Sequence, residues 1–191
     1  MSGSQRLQSS SACLRISSSD GRTGAVRVVE DRKGPLEIGL LILATIGTTL
    51  VPLVWVTTTF FAIADYPLSP FPYVLGLGIM VIGLWLFYRS HTDLGTNGSV
   101  TLQMREDHRL ITSGDYSVIR HPMYASMFLL GIAQLLILPN WIAGPAYLLG
   151  FSMLYVFRVR VEERMMLDRF GAEYEQYMQR SGRLIPPLRW R

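Results

Sequence analysis

Two short polar clusters bracket an apolar stretch in the C-terminal half of this 191-residue chain. The first is Arg120-His121-Pro122-Met123-Tyr124. The second is Arg158-Val159-Arg160-Val161-Glu162-Glu163-Arg164. Pro122 suits the first position of a helix, where free backbone N–H groups and a partial positive charge welcome an anionic group. Arg120 and His121 add side-chain donors there, and Tyr124, one turn in, can stack on a ligand or hydrogen-bond it. In the second cluster Arg158 and Glu162 are four residues apart and share a helix face, whereas Glu163 is turned by about 100°. Together these types can hold a ligand that carries both charges. They fit an interfacial anchor, with arginines at lipid headgroups, equally well.

The elements that must position them are apolar. The runs Pro122–Leu138 and Ile142–Phe157 are broken at Pro139-Asn140-Trp141. As two antiparallel helices they would bring both clusters to one face of a membrane. Upstream, Ile38–Val56 and the Gly-rich Tyr73–Tyr88 are long enough, or nearly so, to cross about 30 Å of hydrocarbon. Gly76, Gly78 and Gly83 suit close helix packing in lipid. The prolines between Asp65 and Pro72 end the first helix. The fold class expected is all-α: an integral membrane bundle of about four transmembrane helices plus a C-terminal amphipathic helix. In that last helix Met166, Phe170, Tyr174, Tyr177 and Met178 make one apolar stripe, stopped at Ser181-Gly182.

Composition agrees. About half the residues are apolar (49%) and the mean hydropathy is positive. Lys33 is the only lysine, so the +4 charge is almost entirely arginine. No basic stripe interleaved with aromatics points to nucleic acid. Cys13 is the only cysteine, which excludes an internal disulfide, and three scattered histidines give no metal-site pattern. Residues 1–34 are Ser-, Arg- and Gly-rich without periodicity and are expected to form a disordered cytosolic arm preceding a domain over 35–191. Arginines cluster in the arm, in Arg89–Arg120 and after Phe157, and are missing from the Thr57–Pro72 and Pro139–Trp141 connections. That alternation predicts a multi-pass protein with both termini cytoplasmic.

The combined pattern Gly114-x-Tyr116-x-x-x-Arg120-His121-Pro122-x-Tyr124, Asn140, Arg158-x-x-x-Glu162-Glu163, Phe170-Gly171-x-x-Tyr174-x-x-Tyr177 and a final proline resembles the isoprenylcysteine carboxyl methyltransferase family, over roughly His108 to Pro187. The resemblance implies a membrane methyltransferase that binds S-adenosylmethionine on the cytoplasmic side without a Rossmann domain, in a part of the chain covering 101–187. It implies cofactor contacts from His108, Arg109, Leu110, Ile111, Tyr116, His121, Pro122, Met123 and Tyr124. Gln103 joins them if a two-residue gap is allowed. Glu162 matches the acid near the cofactor's amino group, with Glu163 taking that role if the register differs by one. Arg158 matches the arginine that holds the acceptor's carboxylate; Arg158 and Arg120 are the candidate catalytic residues. The partners implied are a lipophilic acceptor, isoprenylcysteine-like, and membrane lipids, with no metal. A phospholipid amine or a thiol acceptor on the same fold, and a sterol-reductase-like NADPH enzyme, are the alternative readings.

Overall fold

The computed structural model describes the backbone of residues 28–31, 35–94, 103–105 and 110–187. Gln103 is described in its backbone only, and the expected cofactor residues His108 and Arg109 lie outside the described residues.

All four apolar runs are helical. The first is one continuous rod, Pro35–Thr57, made of α1 (Pro35–Thr45), a π-helical turn (Ile46–Leu50) and α2 (Val51–Thr57). Pro52 explains the wider turn, because it lacks the N–H that would bond the carbonyl four residues back. The second is α3 (Pro70–Leu94). It runs six residues beyond the apolar stretch ending at Tyr88, through Arg89–Leu94, where the sequence predicted a polar connection. Both rods are long and apolar enough to cross a membrane. Their exposed surface is Leu, Ile, Val and Phe, which is what lipid contact requires.

The hairpin consists of α4 (Pro122–Ile137) and α5 (Ala146–Phe170). α5 starts four residues later than the apolar pattern predicts, because Trp141–Pro145 are spent on the turn. The buried Asn140 organises that turn. Its Oδ1 accepts hydrogen bonds from the N–H groups of Ile142 (2.9 Å) and Ala143 (2.8 Å), and its Nδ2 donates to Phe61 O and Asp65 Oδ1. The bonds Tyr66 N–H to Pro139 O and Trp141 N–H to Ala64 O zip this turn to the α2–α3 connection. The two arginine-free connections thus lie at one end of the bundle.

Glycine sets the helix spacing. A Cβ on Gly76 or Gly83 would press on α4, one on Gly47 would lie 2.5 Å from Ala146 O, and one on Gly150 would approach the α1 backbone. Gly78 differs from the expectation: a Cβ added there would meet nothing within 4 Å.

The tail helix is not a continuation of the hairpin. Gly171, with φ +50°, a backbone region that disfavours side chains, breaks the rod into α5 and α6 (Ala172–Arg180). The predicted stripe splits accordingly: Tyr174 and Tyr177 are buried, and Phe170 is only partly so. Within the arm expected to lack structure, β1 (Val28–Asp31) pairs antiparallel with β2 (Gln103–Arg105).

Candidate functional site

The two polar clusters do meet, at the end of the bundle opposite Asn140. His121 is the residue before α4, and its Nε2 lies 3.4 Å from Glu163 Oε1. Nδ1 of the same ring lies 3.8 Å from Glu162 Oε2. Tyr124 stacks on His121, with ring centroids 5.4 Å apart and planes 17° off parallel, and its hydroxyl donates to Glu162 Oε1 at 2.6 Å. Arg158 Nε donates to that same oxygen at 2.8 Å.

The two adjacent glutamates have different jobs. Glu163 is buried and saturated. It accepts from Arg120 Nε and from two nitrogens of Arg183. Burial would push its carboxyl up, but the close approach of His121 and the hydrogen bonds and charge of Arg183 hold it down at about 2. Glu162 is more open, with a quarter of its side chain exposed. Its Oε1 is spoken for by Tyr124 and Arg158, while Oε2 has only the distant His121 Nδ1 among its described ion pairs. Of the two carboxylates, Glu162 is the one with room for a ligand's ammonium.

Arg120 does not face the opening. Besides Glu163, its Nη1 donates to the carbonyls of Met178 and Ser181. The backbone completes the latch: Arg120 N–H bonds to Gly182 O and His121 N–H to Arg183 O. Arg120 therefore ties the chain after α6 to the start of α4, and its geometry is that of a brace rather than of a group that meets an acceptor. Arg183 missed assignment as a site residue for the same physical reason: nothing local marks an arginine beyond a helix stop as the partner of a glutamate 20 residues earlier.

Glu37 was missed as well. It sits in the first turn of α1, is fully buried, and places Oε1 3.7 Å from Arg158 Nη1. The available signal was an acid directly before an apolar span, where burial is costly without a counter-charge.

The third side comes from the segment before α4. Leu110 and Ile111, half-buried and outside any helix or strand, lead into a 3-10 turn, Gly114–Ser117. Gly114 has φ +58°, and a Cβ there would collide with Asp93 of α3, whose Oδ2 accepts the Asp115 N–H. Tyr116 is buried, and its carbonyl accepts the Tyr177 hydroxyl. Burial, with Tyr177 and nearby acids behind it, raises the Tyr116 phenol well above its ordinary value, so it remains a neutral aromatic wall. Pro122 is buried and Met123 half-buried beside it. Behind Tyr124, Phe128, Phe151 and Tyr155 stack edge-on, a dry apolar backing.

The described residues hold no cluster of three or more His, Cys, Asp or Glu suited to a metal ion. For a zwitterionic, aromatic-bearing cofactor the donor set fits better. Glu162 offers an acceptor edge, the His121–Tyr124 stack and Tyr116 offer π faces, and His121 Nε2 is buried without a hydrogen bond despite Glu163 nearby.

Known proteins are similar to this chain over much of its length. Protein-S-isoprenylcysteine O-methyltransferase of Tribolium castaneum is 35% identical over 114 residues, 59% of this chain and 41% of that protein. The cobalt-zinc-cadmium resistance protein CzcN of Cupriavidus metallidurans is 33% identical over 118 residues, 61% of this chain and 51% of that one. The solved structure of the eukaryotic intramembrane Ras methyltransferase ICMT superposes with a TM-score of 0.56 at 28% identity, covering 83% of this chain and 54% of that chain. This chain thus spans about half the length, or less, of these relatives. The resemblance to isoprenylcysteine carboxyl methyltransferases read from the motifs is borne out, as is the helical membrane bundle. The phospholipid methyltransferase family profile matches residues 71–173, more than half of the chain, from the start of α3 into α6, and the chain belongs to that family.

Proposed function

We propose that this protein is a membrane methyltransferase that moves a methyl group from S-adenosylmethionine to the carboxylate of a lipophilic, isoprenylcysteine-like acceptor. The observation that carries the reading is Glu162. It is a half-open carboxylate whose one oxygen is fixed by Tyr124 and Arg158, at the junction of the α4 start and α5. Family membership implies a methyl donor; the residues around Glu162 argue for this one.

In this reading Glu162 holds the donor's ammonium, and His121, Pro122, Met123, Tyr124, Tyr116, Leu110 and Ile111 line the rest of its seat. The donor supplies a methyl on a positively charged sulfur. Arg158 orients the acceptor's carboxylate through charge-assisted hydrogen bonds. A carboxylate is ionised at neutral pH, so no general base is needed. What remains is alignment and exclusion of water, and the Tyr124, Phe128, Phe151 and Tyr155 rings serve that end. The bond that forms is carboxylate oxygen to methyl carbon; the bond that breaks is methyl carbon to sulfur. The arginine-rich end of the bundle would face the cytoplasm, with both termini there.

Calorimetry of the purified chain with S-adenosylhomocysteine tests the donor, and a methyl-transfer assay on prenylcysteine analogues tests the acceptor. Saturable binding and ester formation are expected. Binding of NADPH in place of S-adenosylhomocysteine would sink the reading, and methylation of a phospholipid amine alone would overturn the carboxylate.

A further inference from the structure

The proposed site uses only one side of α5. Successive residues turn by about 100°, so Arg160 and Arg164 project roughly 200° and 240° away from Arg158, onto the opposite face. These two arginines belong to the polar cluster that the site leaves unused. Both are exposed, and neither makes an ion pair with a described residue. The contrast with their neighbours is sharp: Arg89 pairs with Asp115, Arg120 and Arg183 with Glu163, and Arg158 with Glu162 and Glu37.

On this face Arg160 and Arg164 stand at one end of an open strip along α5 whose other lining includes Ser152, Met153, Val156 and Phe157. Met153 and Val156 are more than half exposed. The apolar part lies in the stretch of α5 that continues the membrane run, and the arginines begin within about 6 Å of axial rise beyond Val156. The strip is thus apolar along its membrane part and doubly cationic where it reaches water.

We propose that this face binds an anionic diacyl phospholipid, with an acyl chain along Met153, Val156 and Phe157 and the phosphate between Arg160 and Arg164. Charge complementarity decides the lipid class. Two adjacent guanidinium groups on a strip whose lining includes no acid favour a net negative headgroup, whereas the quaternary ammonium of a choline headgroup would meet like charge. Such a lipid would brace the segment of α5 whose other face carries Arg158 and Glu162. The proposal is independent of the acceptor's identity.

Native mass spectrometry of the detergent-purified full chain tests it, with phosphatidylglycerol, phosphatidylcholine and inorganic phosphate as separate probes. Retention of phosphatidylglycerol over phosphatidylcholine is expected. R160Q/R164Q should weaken phosphatidylglycerol binding about thirty-fold, each single substitution about five-fold, and R160K/R164K should restore most of it. S-adenosylhomocysteine binding and helical circular dichroism should match wild type in these variants. Should the double glutamine variant fail to fold, the single substitutions and the wild-type lipid preference still decide. Equal retention of both lipids overturns the proposal. So does undiminished binding in the glutamine variants, full competition by inorganic phosphate, or an arginine-dependent dimer mass that marks the face as a contact between copies.

Discussion

The carboxylate of Glu37, in the first turn of α1, lies 3.7 Å from Nη1 of Arg158 on α5. Both residues are buried, and Glu162 takes the Nε edge of the same guanidinium. The N-terminal span is therefore coupled electrostatically to the residue proposed to hold the acceptor. Glu37→Ala leaves the guanidinium buried with one counter-charge fewer, and removing one partner of a buried pair costs about 3 kcal/mol or more. A drop in thermal midpoint in detergent is expected, with a smaller additional loss in the Glu37→Ala/Arg158→Ala double variant than in either alone. Additive losses would show that the two residues do not interact.

Glu162 and Glu163 are neighbours in sequence with separate roles, and substitution should separate them. Glu162→Gln removes the charge proposed to meet the donor's ammonium, and S-adenosylhomocysteine affinity should fall about thirty-fold, equivalent to about 2 kcal/mol. Arg158→Gln should raise the acceptor KM while leaving S-adenosylhomocysteine affinity within a few-fold. Glu163→Gln should act chiefly on stability. Titration calorimetry on the three variants checks this division; equal losses of cofactor affinity across all three would contradict it.

Much of this was legible in the sequence, for reasons that differ by residue. The helices follow from uninterrupted apolar runs, and the meeting of His121 and Tyr124 with Glu162 follows from a hairpin that must return its second cluster to the level of its first. Gly171 could be read as a motif position but not as a break, because the apolar stripe crosses it without a change of period. Arg120 carried the right charge for a catalytic role; only its bonds to Met178 O, Ser181 O and Glu163 reveal a brace. Glu37 and Arg183 depend on contacts between residues distant in the chain, which local pattern does not encode.

Gly114 should tolerate no side chain. Its φ is +58°, and Asp93 occupies the space a Cβ would need while accepting the Asp115 N–H. Gly114→Ala must either expel the Asp93 carboxylate or reshape the turn that carries Tyr116. A destabilisation of about 2 kcal/mol is expected from the backbone penalty and the lost hydrogen bond together. Because Tyr116 moves with the turn, S-adenosylhomocysteine affinity should fall as well. Truncating the obstacle gives the control: Asp93→Ala in the Gly114→Ala background should recover part of the stability, and no recovery would place the strain elsewhere.

Glu163 makes the fold sensitive to acid in a defined direction. Burial alone would raise its carboxyl; the close approach of His121 and the hydrogen bonds and charge of Arg183 hold it at about 2 against an ordinary 4.5. A carboxyl depressed in the folded state contributes stability that is complete above the unfolded value and is lost as pH falls through the folded one. The window is therefore from about pH 4.5 down to about 2, and the full contribution is on the order of 3 kcal/mol. Glu163→Gln should be less stable than wild type at neutral pH, since Arg120 and Arg183 lose their counter-charge, and its thermal midpoint should vary less with pH across that window. The two curves should converge toward acid. Parallel curves for wild type and Glu163→Gln, measured by thermal unfolding in the same detergent, would show that Glu163 is not the group that titrates.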